Sequence, residues 1–341
     1  EKSLAEVGRF PWGRDKLADL LDILFQQQKV ALVGFDIVFA EADESSGLRR
    51  LMALANNEFK DQPAFADRLK SLQPELDYDA RFAAALHKYP VVLGYYFNSE
   101  RTASAVGTLP RPVVRAESLK GHRIDRPART GYGSNIAMLA NAAPIAGHFN
   151  PISDSDGVVR SLPLLELYQG AYYESLALAM FRALLGSPDL VPVFSEEKWL
   201  SRSLQGLDHI ALKSNQGVIR LPVDRRAAAL VPYRGIGGPE GGSFQYVSAA
   251  DLLAGRITAQ TLKDKIVLVG TTAPGLLDLR VTPVGEVYPG VEAHANLLAA
   301  WLEGKSLFMP DYAMGFDVTV LSIAGIALAL SLPMLTAFRA V

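Results

Sequence analysis

Seven side chains in this sequence have the type and placement to hold a small polar ligand: Asp36, Tyr96, Asn150, Thr271, Thr272, Asp278 and His294. Several stand a residue or two past a short apolar run, with Tyr95 and His148 in similar places, and in an open parallel sheet ligands bind outside the carboxyl ends of the strands. A helix opening at Gly290 adds free backbone N–H groups there, which suit an anionic or hydroxyl-bearing ligand. Each candidate has a second reading. Asp36 also fits a turn carboxylate, and His294, in line with Leu298 and Trp301 on one helix face, also fits a hydrogen-bonded, half-buried histidine. Asp154-Ser-Asp156-Gly157 resembles part of a calcium loop but lacks the further ligands, and reads as a tight turn into a strand at Val158. Catalytic signatures are missing: there is no Gly-x-Ser-x-Gly elbow, Walker loop or Gly-x-Gly-x-x-Gly turn, and the five histidines show no paired spacing. With no cysteine, thiolate metal sites and cysteine nucleophiles are excluded, so no catalytic residue, metal or cofactor is assigned.

For those side chains to converge, the apolar runs must be parallel neighbours. Arg14 to Gln27 places Leu17, Leu20, Leu21 and Leu24 at helical spacing, and Val30 to Phe35 follows as a buried strand. Ala80 to Leu86 is predicted helical, with Asp79 as its N-cap, ahead of a strand at Val91 to Tyr96. Later, Ile266 to Gly270 is a strand, and Val291 to Glu303 is a helix between Pro289 and Gly304. Helices alternating with apolar strands predict an α/β fold with a largely parallel, helix-covered central sheet. Val30-Ala-Leu-Val-Gly34 and Ile266-Val-Leu-Val-Gly270 read almost alike and are predicted to be neighbours in it.

Loop and β-rich insertions separate these units. Residues 41–78 are acidic and carry two short surface helices. Residues 98–131 hold Arg101, Arg111, Arg115, Arg123, Arg126 and Arg129 among prolines and glycines, and read as a solvated loop, with a phosphate or lipid-headgroup surface as the alternative. β-like segments run from Asp156 to Tyr168, Ile210 to Lys213, Val218 to Val223 and Leu230 to Arg234, with turns at 215–217 and 235–242.

The chain has 341 residues, 49% of them apolar, enough for a sizeable core. Its net charge of −2 with interspersed signs gives no electrostatic case for nucleic acid as a partner. Val318 to Phe338 is a 21-residue run without a charge, which as a helix reaches ~31 Å, the thickness of a bilayer core. A C-terminal transmembrane helix is therefore expected, and Arg339 beyond it places the C-terminus in the cytoplasm and the body outside. The chain opens at Glu1 without a methionine or apolar leader, so an upstream export segment is expected too.

Taken together, several blocks resemble the CHASE2 extracellular sensor domain. They are Gly8-Arg-Phe-Pro-Trp-Gly-Arg14, Val33-Gly-Phe-Asp36-Ile-Val-Phe39, Asp79 to Leu86, and Gly131 to Asn135. Further blocks are Asp154 to Arg160, Lys265 to Thr272, Asp278 with Thr282-Pro283, and Pro289 to Asn296, all in family order over most of residues 1–312. The resemblance implies a periplasmic sensor domain over residues 1–312, held in a bacterial inner membrane by residues 313–341. It also implies an input module for an output domain that does not follow here: a histidine kinase, a Ser/Thr kinase or, as preferred by analogy, a class III adenylate or guanylate cyclase making cyclic AMP or GMP. The fragment itself is then not an enzyme, and a homodimer responding to a small-molecule or environmental stimulus is expected. Two alternatives stay open: a membrane-anchored periplasmic hydrolase using Asp36, Asp154, Asp156 or Asp278, and a purely structural dimerisation module.

Overall fold

The computed structural model describes residues 2–100, 104–195, 206–214, 217–271, 279–309 and 313–332. The chain divides into two compact units, 1–306 and 307–341.

The first unit opens with α1 (Lys2–Val7) and α2 (Arg14–Asp22), which runs on through a π-helical turn at Ile23–Gln27. The leucines of this stretch are buried, as their helical spacing requires. β1 (Leu32–Phe35) follows, then α3 (Leu48–Asn56), α4 (Pro63–Leu76) and α5 (Tyr78–Lys88) lead to β2 (Val91–Asn98). The N-cap of α5 is Asp77, whose carboxylate accepts from the Ala80 N–H at 3.0 Å. Asp79, predicted for that role, instead pairs with the buried Arg14 and ties the start of α5 to the start of α2. After α6 (Ala137–Ala142) comes β3 (Ala146–His148), then α7 (Leu176–Leu184), capped by the Ser175 hydroxyl. Last in this unit are α8 (Ala249–Leu253), β4 (Ile266–Val269) and α9 (Gly290–Leu302).

The four labelled strands form a parallel sheet in the order β4-β1-β2-β3. The two look-alike segments are neighbours as predicted, in a register that sets Val33 beside Val267 and Gly34 beside Leu268, two residues out of step with their sequence match. Parallel strands present alternate residues to opposite faces. Val33, Phe35, Leu93 and Tyr95 enter a core with the leucines of α2 and with Phe82 of α5. Leu32 and Val92 enter a second core with α7 and with Ala293, Leu297 and Trp301 of α9.

Beyond these four strands the pairing is mostly antiparallel. The far end of β2, Tyr96 to Asn98, pairs antiparallel with Gly131–Gly133, and the β-rich insertions make further small, mostly antiparallel sheets. At about 36% helix and 24% strand the protein is mixed α/β, and the largely parallel description holds for the central strands alone.

The second unit contains α10 (Ala313–Ser331), with exposed Phe316, Leu321, Ile323 and Leu330. Among the described residues no helix is long and apolar enough to cross a membrane. Of the uncharged run ending at Phe338, residues 333–338 lie outside the described residues.

Candidate functional site

The carboxyl ends of β1 and β4 meet as expected: the Asp36 N–H donates to the Val269 carbonyl at 2.8 Å, and Gly270 and Thr271 follow directly. Beside them lies a cavity of about 790 Å³, lined by Ile37, Thr271, Val291, Glu292 and Tyr246 among others, and running back along β4. Thr272 and Asp278 fall outside the described residues.

The other candidates do not join this edge. β2 continues to Asn98 instead of ending at Tyr96, so Tyr96 sits on the antiparallel extension, its ring 6.1 Å from that of Phe149. The Asn150 side chain is occupied by backbone: its Oδ1 accepts from the Phe97 N–H at 2.8 Å and its Nδ2 donates to the Phe97 carbonyl at 2.7 Å. That is a pin holding the chain after β3 against β2. His294 is not half-buried but fully buried, with no partner at Nδ1, and burial followed by the Arg280 charge pushes its imidazole down to about 4. Asp154 and Asp156 are both bound by Arg160, whose hydrogen bond lowers Asp156 to about 2, and the Gly157 N–H closes the turn on the Asp154 carbonyl at 2.9 Å. A carboxyl held that low stays ionised and is unsuited to general-acid work.

A polar cluster inside the protein was not legible beforehand. His148 on β3 lies beside Tyr95 on β2, both fully buried, and neither imidazole nitrogen nor the Tyr95 hydroxyl has a partner. Burial pushes His148 down to about 3, opposed by Glu166 and aided by Arg126. Glu166 is itself sealed, bound by Arg129 at 2.9 and 2.6 Å and by Arg126. Burial raises its carboxyl, but the two guanidiniums outweigh that and hold it at about 2. Two arginines of the supposedly solvated 98–131 loop are therefore internal counterions; Arg101 is outside the described residues.

The N-terminus of α9 carries its own acid. Glu292, buried in the first turn, accepts from the Gly238 N–H and the Tyr246 hydroxyl, so the helix end predicted to be open to an anion already faces a carboxylate. One turn on, Asn296 Oδ1 accepts from the Arg234 N–H at 3.1 Å, and its Nδ2 donates to the Tyr288 hydroxyl and the Glu292 carbonyl, each at 2.7 Å. At the helix end Glu303 pairs with Arg234 at 2.6 Å. Arg234 and Gly238 thus hold the chain that enters the glycine-rich turn along the length of α9.

A helix-covered parallel sheet with a cavity at its edge and a terminal helix clamped by its first-turn acid make up an α/β body, and among the described residues no grouping of three or more His, Asp or Glu could hold a metal. The chain belongs to the CHASE2 domain family, whose model matches residues 1–329. CHASE2 is a sensory domain family of signalling receptors, extracellular or periplasmic and not catalytic. Among curated proteins and solved structures, none matches this chain.

Proposed function

We propose that this chain is the extracytoplasmic input module of a membrane-bound signalling receptor, of the adenylate or guanylate cyclase type by analogy, acting as a homodimer. Family membership over residues 1–329 carries the reading. Three features support it. The uncharged run to Phe338 is long enough for a bilayer core, and α10 presents exposed apolar side chains along its described length. α9 is the last helix before Gly304 and the chain that leads to α10, so a stimulus that shifts α9 acts on the segment entering the membrane. The edge of β1 and β4, where Ile37 and Thr271 line the cavity next to Asp36, is where a small polar stimulus would bind. A stimulus works only through different affinities for two arrangements of the body.

These 341 residues contain no cysteine, so topology is read from a single Glu240→Cys label in a full receptor cleared of any cysteines elsewhere. A maleimide that cannot cross membranes is expected to label it in intact cells. Labelling only after lysis would remove the assignment.

A further inference from the structure

A single stretch, residues 234–256, fastens both the first and the last helix of the body. On the α9 side, the Gly238 N–H and the Tyr246 hydroxyl donate to Glu292. Just beyond Tyr246 the stretch turns to α1. The Ser248 hydroxyl lies 2.7 Å from that of Ser3, and Ser3 Oγ accepts from the Ala250 N–H at 3.3 Å. Ser248 occupies the N-cap position of α8 but makes no capping bond of its own; α1 supplies the cap instead, from 247 positions away. Asp251 pairs with Lys2 at 2.7 Å and with Arg256 at 2.5 Å, and Arg256 reaches on to Glu6. α1 buries none of its residues, and every polar partner of its side chains among the described residues lies between Ser248 and Arg256. Only Val247 separates the two sets of contacts, and it packs against the core that holds Leu252 of α8 and the leucines of α2. With Ser248 extended, Tyr246 and Ser248 stand about 7 Å apart along the chain.

We propose that residues 246–251 couple α1 to α9, so that a displacement of either helix is passed to the other through Ser248 and Tyr246. The link has no slack. A single residue seated on the core cannot absorb the movement of a helix at one end while the other end stays in place. α1 is the more responsive partner, because no core residue of its own anchors it and its ion pairs lie in solvent, where each contributes little. Coupling of this kind is reciprocal: weakening the Tyr246 contact frees α1, and weakening the Ser3 contact frees the Glu292 clamp as strongly. That the coupling carries a signal rests on the receptor reading proposed above; the coupling itself does not.

Hydrogen exchange on the 341-residue chain in detergent tests this, read at the Glu6 and Val7 amides of α1 and at the Gly238 amide that donates to Glu292. Tyr246→Phe is expected to speed Glu6 and Val7 at least about threefold, and Ser3→Ala to speed Gly238 by a similar factor. Phe181→Leu, which loosens Trp301 of α9 without touching residues 234–256, is expected to leave α1 unchanged. Insertion of two glycines after Val247 keeps every contact and adds slack; in that chain Tyr246→Phe is expected to leave α1 unchanged as well. Unaltered Glu6 and Val7 in Tyr246→Phe, or unaltered Gly238 in Ser3→Ala, overturn the proposal. So do equal effects of Tyr246→Phe and Phe181→Leu, which would report general loosening, and an effect that persists across the glycine insertion, which would mean another route carries it. A failed topology label with the exchange results standing removes the signalling role and leaves the coupling in place.

Discussion

The side-chain amide of Asn296 donates to the hydroxyl of Tyr288 at 2.7 Å, joining α9 to the strand that runs into its own N-terminus. Both groups are buried, and Asn296 has no exposed atom through which water could substitute. Tyr288→Phe keeps the packing against Tyr233 and removes the hydroxyl that accepts from Asn296 and also bonds Glu292, so it is expected to cost about 1–2 kcal/mol in urea unfolding. Asn296→Leu strands the Arg234 N–H as well and is expected to cost more. Equal stability of Tyr288→Phe and the parent would show that this bond contributes nothing.

Glu166 is expected to govern stability in acid. Its folded pKa, about 2, lies below its ordinary 4.5, so the unfolded chain takes up the proton first. Its contribution, of the order of 3 kcal/mol, is complete above pH 4.5 and disappears as pH falls towards 2. Glu166→Gln leaves Arg126 and Arg129 buried with a neutral partner, and a loss of about 3–5 kcal/mol at pH 7 is expected. A fully stable variant would mean that both arginines reach solvent.

His148 acts in a higher window. Its folded pKa is about 3 against an ordinary 6.5, so protonation favours the unfolded chain and stability falls steadily from pH 6.5 down to about 3. His294 adds a similar fall between 6.5 and about 4. His148→Leu removes a buried ring without hydrogen bonds; it is expected to be near neutral at pH 7 and to flatten the decline between pH 6.5 and 4. An unchanged pH profile in urea midpoints would show that His148 titrates normally.

Two glycines separate backbone from side-chain tolerance. A Cβ at Gly147 would lie 2.5 Å from the Leu176 Cα and backbone nitrogen, whereas one at Gly34 would meet the flexible Met180 side chain, 2.3 Å from its Sδ. Gly147→Ala is therefore expected to lower the melting temperature more than Gly34→Ala, since Met180 can turn away and the start of α7 cannot. The reverse order would place the close approach of β3 and α7 in doubt.

Much of the central sheet was legible because its strands are short, apolar and preceded by helices with clear periodicity. β1, β2, β4 and α9 lie within about two residues of their predicted bounds, and the pairing of β1 with β4 followed from composition. The ends of elements were less legible. Asp77 and Asp79 are equally good capping residues by type, and only the position of Arg14, far off in sequence, assigns one to the helix and the other to an ion pair. The candidate site suffered most. Placing Tyr96 and Asn150 at the sheet edge assumed that β2 stops where its apolar run stops, yet Gly131–Gly133 pairs with its polar continuation and carries it further. Arg126 and Arg129 sit among prolines and glycines and resemble surface residues; their burial depends on Glu166, 40 and 37 positions later, which no local pattern encodes.

Hydrogen bonds and an ion pair fasten α9 to the turn after Arg234 near its first, second and last turns, through Glu292, Asn296 and Glu303. Rolling or sliding the helix against this segment would break all of these attachments together, so α9 and the chain from Arg234 to Gly238 form one mechanical piece, held together over the whole length of the helix.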